Sequence, residues 1–99
     1  MALPTETKKR FRSLGHGLKP VVTIAGKGLS ESVLTELSRA LDDHELIKIK
    51  LVITDRDTRK QLVEELCKQS RATLVQEIGK VALIYRESRN QPVKASNAR

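Results

Sequence analysis

The stretch Leu46-Ile-Lys-Ile-Lys-Leu-Val-Ile53 decides the fold. Ile47, Ile49, Leu51 and Ile53 alternate with Lys48 and Lys50, a two-residue period that an extended strand turns into two unlike faces. One face is then buried and the other wet. A sheet with a single covered face implies helices packed on one side of it, so this segment predicts a two-layer α/β sandwich.

Outward from this strand the pattern changes to helical spacing on both sides. Upstream, Val33, Leu34, Leu37, Ala40 and Leu41 repeat along Ser30–Asp43, with Ser30 as N-cap and Glu31 in the first turn. Downstream, Leu62, Val63, Leu66 and Cys67 form the stripe of a helix over Asp57–Gln69. Further upstream, Pro20–Ile24 is a short β-branched strand joined to the helix by Ala25-Gly-Lys-Gly28. A first helix runs from Thr5, its N-cap, to about Gly15, with Phe11 and Leu14 on one face and Lys8, Lys9 and Arg12 on the other. Ala72–Ile78 and Val81–Tyr85 are two more strands, reversed at Gly79-Lys80. The order is α-β-α-β-α-β-β, an α+β domain over residues 1–87. Ser88–Arg99 is polar, contains Pro92, and is expected to be a disordered basic tail.

Ninety-nine residues make one domain, and 38% hydrophobic with 31% charged residues describes a soluble globular one. The net charge of +7 favours a polyanionic partner. The excess lies at the ends: residues 1–20 carry a net +4, residues 86–99 a net +3, and the middle sums to zero. Basic ends also aid solubility, which is the plainer account of them. No apolar run is long enough for a membrane span and no signal-peptide core follows the N-terminus, so a cytoplasmic location without a membrane partner is expected. One cysteine forms no internal disulfide.

Few residues offer chemistry. His16 and His44 are far apart, and Cys67 sits on an apolar stripe as a core thiol. Asp42, Asp43 and Glu45 form a cluster of the kind that is usually solvated surface. No catalytic residues, metal ligands or cofactor are expected, and a small hydrolase finds no nucleophile–base pair. The Ala25-Gly26-Lys27-Gly28 turn is more informative. Glycines let backbone approach a ligand, a helix N-terminus follows, and Lys27 adds a charge, which together suit a phosphate. A plain βα turn has the same composition, and neither a P-loop nor a G-x-G-x-x-G spacing is present. Lys8, Lys9, Arg10 and Arg12 can attract phosphates or form a solvated face. His16 can donate to a phosphate or cap its helix. Tyr85 can stack a base or belong to the core rim, and Phe11 is a core residue; two aromatics are too few for a stacking platform.

Several motifs resemble one family. Leu14-Gly-His16-Gly-Leu-Lys19-Pro20-Val-Val resembles the opening of the CRM-domain family, in particular its bacterial stand-alone, YhbY-like members. The likeness continues through Ala25-Gly-Lys-Gly28-Leu29, Glu45-Leu-Ile-Lys48-Ile-Lys50 and Gln76-Glu-Ile-Gly79-Lys80 to Leu83-Ile-Tyr85-Arg86, covering about residues 7–86. It implies a mixed four-stranded sheet with helices on one face, like the C-terminal domain of translation initiation factor three. It also implies RNA as partner, specifically ribosomal RNA in large-subunit (50S) precursors, and a role in ribosome assembly. The family's G-x-x-G loop falls on Ala25–Gly28: Gly28 matches its second glycine, Ala25 replaces the first, and Gly26 is left to supply the permissive backbone. The residues expected to meet RNA are Lys8, Lys9, Arg10, Arg12, His16, Lys19, Ala25, Gly26, Lys27, Gly28, Lys80, Tyr85 and Arg86. The chain is expected to act as a monomer. Two other functions fit the residues: a ribosomal or architectural nucleic-acid-binding protein, and a protein–protein adaptor using the exposed sheet face around Lys48 and Lys50.

Overall fold

The structure, a computed structural model, describes residues 4–25 and 29–87. The elements run α1 (Thr5–Gly15), β1 (Pro20–Ile24), α2 (Glu31–His44), β2 (Leu46–Leu51), α3 (Arg56–Ser70), β3 (Thr73–Ile78) and β4 (Val81–Tyr85). The expected element order holds throughout. Gly26, Lys27, Gly28 and the expected tail from Ser88 lie outside the described residues.

The strands form one mixed sheet in the order β1-β2-β4-β3. β1 is parallel to β2, and β4 is antiparallel to both β2 and β3. The parallel pair follows from the chain path: α2 carries β1 back across the sheet and ends one residue before β2 begins. The helix starts are fixed by side chains. The Ser30 hydroxyl accepts the Val33 N–H at 3.2 Å, and the Asp55 carboxylate accepts the Thr58 N–H at 2.8 Å; each satisfies a first-turn N–H that has no partner within its own helix. α3 stops where Arg71 turns left-handed (φ 62°), and Gly79 takes φ 56° in the β3–β4 hairpin, a backbone that glycine adopts without steric cost.

Val22 and Ile24 of β1, Ile47, Ile49 and Leu51 of β2, and Ala82 and Ile84 of β4 are buried against Leu37 and Leu41 of α2 and Val63 and Leu66 of α3. Burying each large side chain here contributes about 1.5–3 kcal/mol relative to exposure. This is the helix-covered face that the alternation in β2 predicts.

In one respect the layering differs from expectation. α1 does not join the other helices but crosses the opposite face of the sheet. Phe11 is buried there with Val75 and Leu83, and Leu46 and Tyr85 pack around them. The cause lies in β4, where Ala82, Leu83 and Ile84 are buried in succession. A strand that is apolar on both sides and second from the edge needs cover on both. Three smaller differences follow local chemistry. Leu14 is 55% exposed, because the buried pair on α1 is Phe11 with Gly15, four residues apart. Pro4, not Thr5, occupies the N-cap of α1, without a side-chain cap bond. β2 ends at Leu51, although Ile53 is still buried.

Candidate functional site

α1 covers only part of its face. Phe11 lies against Tyr85, ring centroids 4.6 Å apart, at the end of the sheet where β2 begins and β4 ends. Beyond Gly15 the sheet is bare, in that no helix among the described residues covers it. The bare half presents Thr23 of β1, Lys48 and Lys50 of β2, Gln76 and Ile78 of β3, and Val81 of β4, all on the side opposite the buried Ile49 and Ala82. Among the described residues, no Asp or Glu occupies a strand position facing this side. The acidic residue of β3, Glu77, pairs in register with Ala82 and so faces the helices.

One end of this half-sheet collects further basic groups. The Leu51 N–H donates to the Lys80 carbonyl at 2.7 Å, which brings the hairpin tip beside the end of β2. The Val52 N–H donates to the Ile24 carbonyl at 2.8 Å, which brings the end of β1, and hence Ala25, to the same place. The N-terminus of α2 opens at this end too, since α2 runs antiparallel to β1 and β2. Lys50, Lys80, Ala25 and that helix end therefore stand together. Gly26, Lys27 and Gly28 belong in sequence between Ala25 and α2 and lie outside the described residues.

The remaining expected residues divide. His16 caps α1, its N–H donating to Arg12 and Ser13 carbonyls, and its side chain borders the bare half-sheet. Lys9, Arg10 and Lys19 are exposed; Lys8 and Arg12 are half-buried along α1. Tyr85 lies at the far end, half-buried under α1, and its phenol is held above its ordinary pKa by burial and then by Glu45 and Glu87. Arg86 is committed elsewhere. Its Nη1 donates to the Ser70 carbonyl at 2.8 Å. Its Nη2 donates to the Ser38 carbonyl at 2.9 Å and the Asp42 carboxylate at 2.7 Å. This guanidinium ties α2 and α3 to the end of β4, on the helix side, away from the bare half-sheet.

Lys48, Lys50 and Gln76 were not among the residues expected to meet RNA. Their signal was in the sequence, since the two lysines are the wet positions of LIKIKL, but nothing local says which sheet face stays open. Cys67 is half-buried and its thiol is pushed up to about 11 by burial, with Glu77 adding to it, so it is not poised as a nucleophile. Among the described residues no group of three metal-binding side chains converges, and no helix is long and apolar enough to cross a membrane.

Fold and surface together define a class: a small α+β domain with three helices on a mixed four-stranded sheet and a lysine-bearing half-face without carboxylates. The chain belongs to the CRS1/YhbY (CRM) domain family, whose model matches residues 3–86. It is 57% identical over 97 residues to a Pseudomonas aeruginosa protein named "Probable RNA-binding protein PA4753", covering 98% of this chain and 93% of that one. It is 38% identical over 92 residues to a Haemophilus influenzae protein named "RNA-binding protein", covering 93% of each. The solution structure of the Staphylococcus aureus protein SAV1595 superposes with a TM-score of 0.78 at 35% identity, over 89% of this chain and 92% of that one.

Proposed function

We propose that the protein binds structured RNA through the bare half-sheet and the loop end beside it, and does no covalent chemistry. The observation that carries this reading is the set of strand positions facing that side, which holds Lys48 and Lys50 and no carboxylate. A surface of one sign attracts phosphates at any register, and each neutralised phosphate releases counterions. The names of the relatives point to the same polymer. Lys80 and Ala25 extend the surface at one end, while His16, Lys19 and the cations of α1 extend it at the other. The target we assign is ribosomal RNA in precursors of the large subunit, met in the cytoplasm by a monomer acting as an assembly factor.

The test is binding to ribosomal RNA fragments across a salt series. Lys48→Ala/Lys50→Ala should bind more weakly than wild type and lose about 1.4–1.8 from the slope of log affinity against log salt, at about 0.7–0.9 per phosphate contact. Lys27→Glu should weaken binding without changing the unfolding midpoint. Unchanged affinity and slope in the double variant would remove the half-sheet from the interface. Affinity that persists at high salt and after nuclease treatment would favour a protein partner instead. Sedimentation of cell extracts decides the target: the protein should travel with large-subunit precursors and not with mature subunits.

A further inference from the structure

Just past the C-terminus of α1, the bare half-sheet sinks into a cavity of about 220 Å³. Four elements build it. Leu83 is 3% exposed and lies deepest, Val81 is half-buried beside it, and Ile78 and His16 stand exposed at the rim. Gln76 and Lys48, both half-buried, supply the polar part of the wall. Gly15 closes the α1 side, and a Cβ there would come 2.6 Å from Leu83 Cδ2. The glycine thus lets the helix end sit down on the sheet and form that wall.

The chemistry of this lining is not that of a phosphate site. A phosphate needs donors only, and here half of the named side chains are aliphatic. Gln76 offers a donor and an acceptor on one amide, which suits an edge that itself carries both. At about 220 Å³ the cavity lies below the usual range for drug-sized ligands. A planar ring with a hydrogen-bonding edge, joined to a phosphate chain, matches all of this.

We propose that the cavity takes one unpaired nucleobase of the bound RNA. Val81 and Leu83 pack against the ring, the Gln76 amide meets its hydrogen-bonding edge, and Lys48 pairs with the adjoining phosphate. The inference rests on the RNA reading above and sharpens it: the preferred ligand has a single-stranded segment or an extruded base, not an unbroken duplex. An aliphatic floor replaces the aromatic platforms that the two-aromatic composition denies this chain.

Methyl-labelled protein separates the two ideas. It is titrated at low salt with a short mixed-sequence single-stranded RNA and with an oligonucleotide of equal length that is abasic throughout. With RNA, the Ile78, Val81 and Leu83 methyl signals should shift upfield under the ring current, while those of Ile24 and Ile84 on the helix side stay. The abasic chain should bind severalfold more weakly and move none of them. Gln76→Ala should keep the upfield shifts but lose discrimination among homopolymers. Equal affinity for both chains, with unmoved methyls, overturns the base pocket and leaves RNA binding intact. Failure of both chains to bind while ribosomal RNA fragments still bind overturns the pocket alone; failure of the fragments as well overturns the RNA reading.

Discussion

Replacing Arg86 by alanine should cost the domain about 2–3 kcal/mol while leaving the bare half-sheet untouched. The guanidinium meets four groups on two helices: the Ser70 carbonyl, the Ser38 carbonyl, more loosely the Ser38 hydroxyl at 3.2 Å, and the Asp42 carboxylate. Fully buried bonds from a charged donor contribute about 1.5–3 kcal/mol each. The Arg86 and Asp42 side chains are 19% and 31% exposed, so water reaches part of what the truncation vacates. Each carbonyl bond then counts for about 1 kcal/mol, and the screened ion pair for less than that. For a domain of this size the loss corresponds to a fall of about 10–20 °C in Tm. Urea denaturation followed by circular dichroism measures it, with Arg86→Lys expected to fall between wild type and alanine because an ammonium lacks the fork that spans α2 and α3. RNA affinity measured well below the transition should stay within about twofold of wild type. A stability loss under about 0.5 kcal/mol would refute the clamp. A large loss of affinity in the folded variant would return Arg86 to the interface.

Gly15→Ala should destabilise by about 1–2 kcal/mol net, because the new methyl meets the buried Leu83 side chain at 2.6 Å and the overpacking outweighs the gain in helix propensity; a stabilised variant in denaturant titration would place α1 off the sheet. Cys67, held at about 11 by burial against an ordinary value of 9.0, should carry about 100-fold less thiolate at pH 8 than in the unfolded chain. Its alkylation should therefore be slow in native protein and fast in urea. The sign is that of a raised pKa, so this burial stabilises fully below pH 9 and the contribution fades as pH rises towards about 11. Asp55 is held below its ordinary value by the Thr58 hydroxyl, then by the Thr58 N–H, against a small desolvation, with Arg59 adding to the lowering. A lowered pKa stabilises above the ordinary value and is lost as pH falls through the lowered one, so wild type should lose stability below about pH 4 faster than Asp55→Asn, which keeps a cap acceptor without the titration. Parallel acid curves for the two proteins would contradict that assignment.

Much of this architecture is local and was therefore readable. The period of LIKIKLVI, the cap at Ser30 and the Gly79 reversal are each set within a few residues, where sterics and near-neighbour hydrogen bonds act. The site was legible only in part. Lys80 and Ala25 were visible as positions, but their meeting with Lys50 depends on strand order, and the partners of Arg86, up to 48 residues away, are not announced by any local pattern.

What the sequence by itself determined is the list of elements, the helix-covered face of the sheet and the family, because periodicity, caps and motif spacing are properties of short stretches. What only the tertiary structure decided is which half of the other face stays open. The continuous apolar run of Val81–Tyr85 requires cover without naming its source. α1 provides it with Phe11 and Gly15 and stops short of Lys48, Lys50 and Gln76. That division follows from the length of one helix and the missing Cβ at its end, a fit between surfaces far apart in the chain.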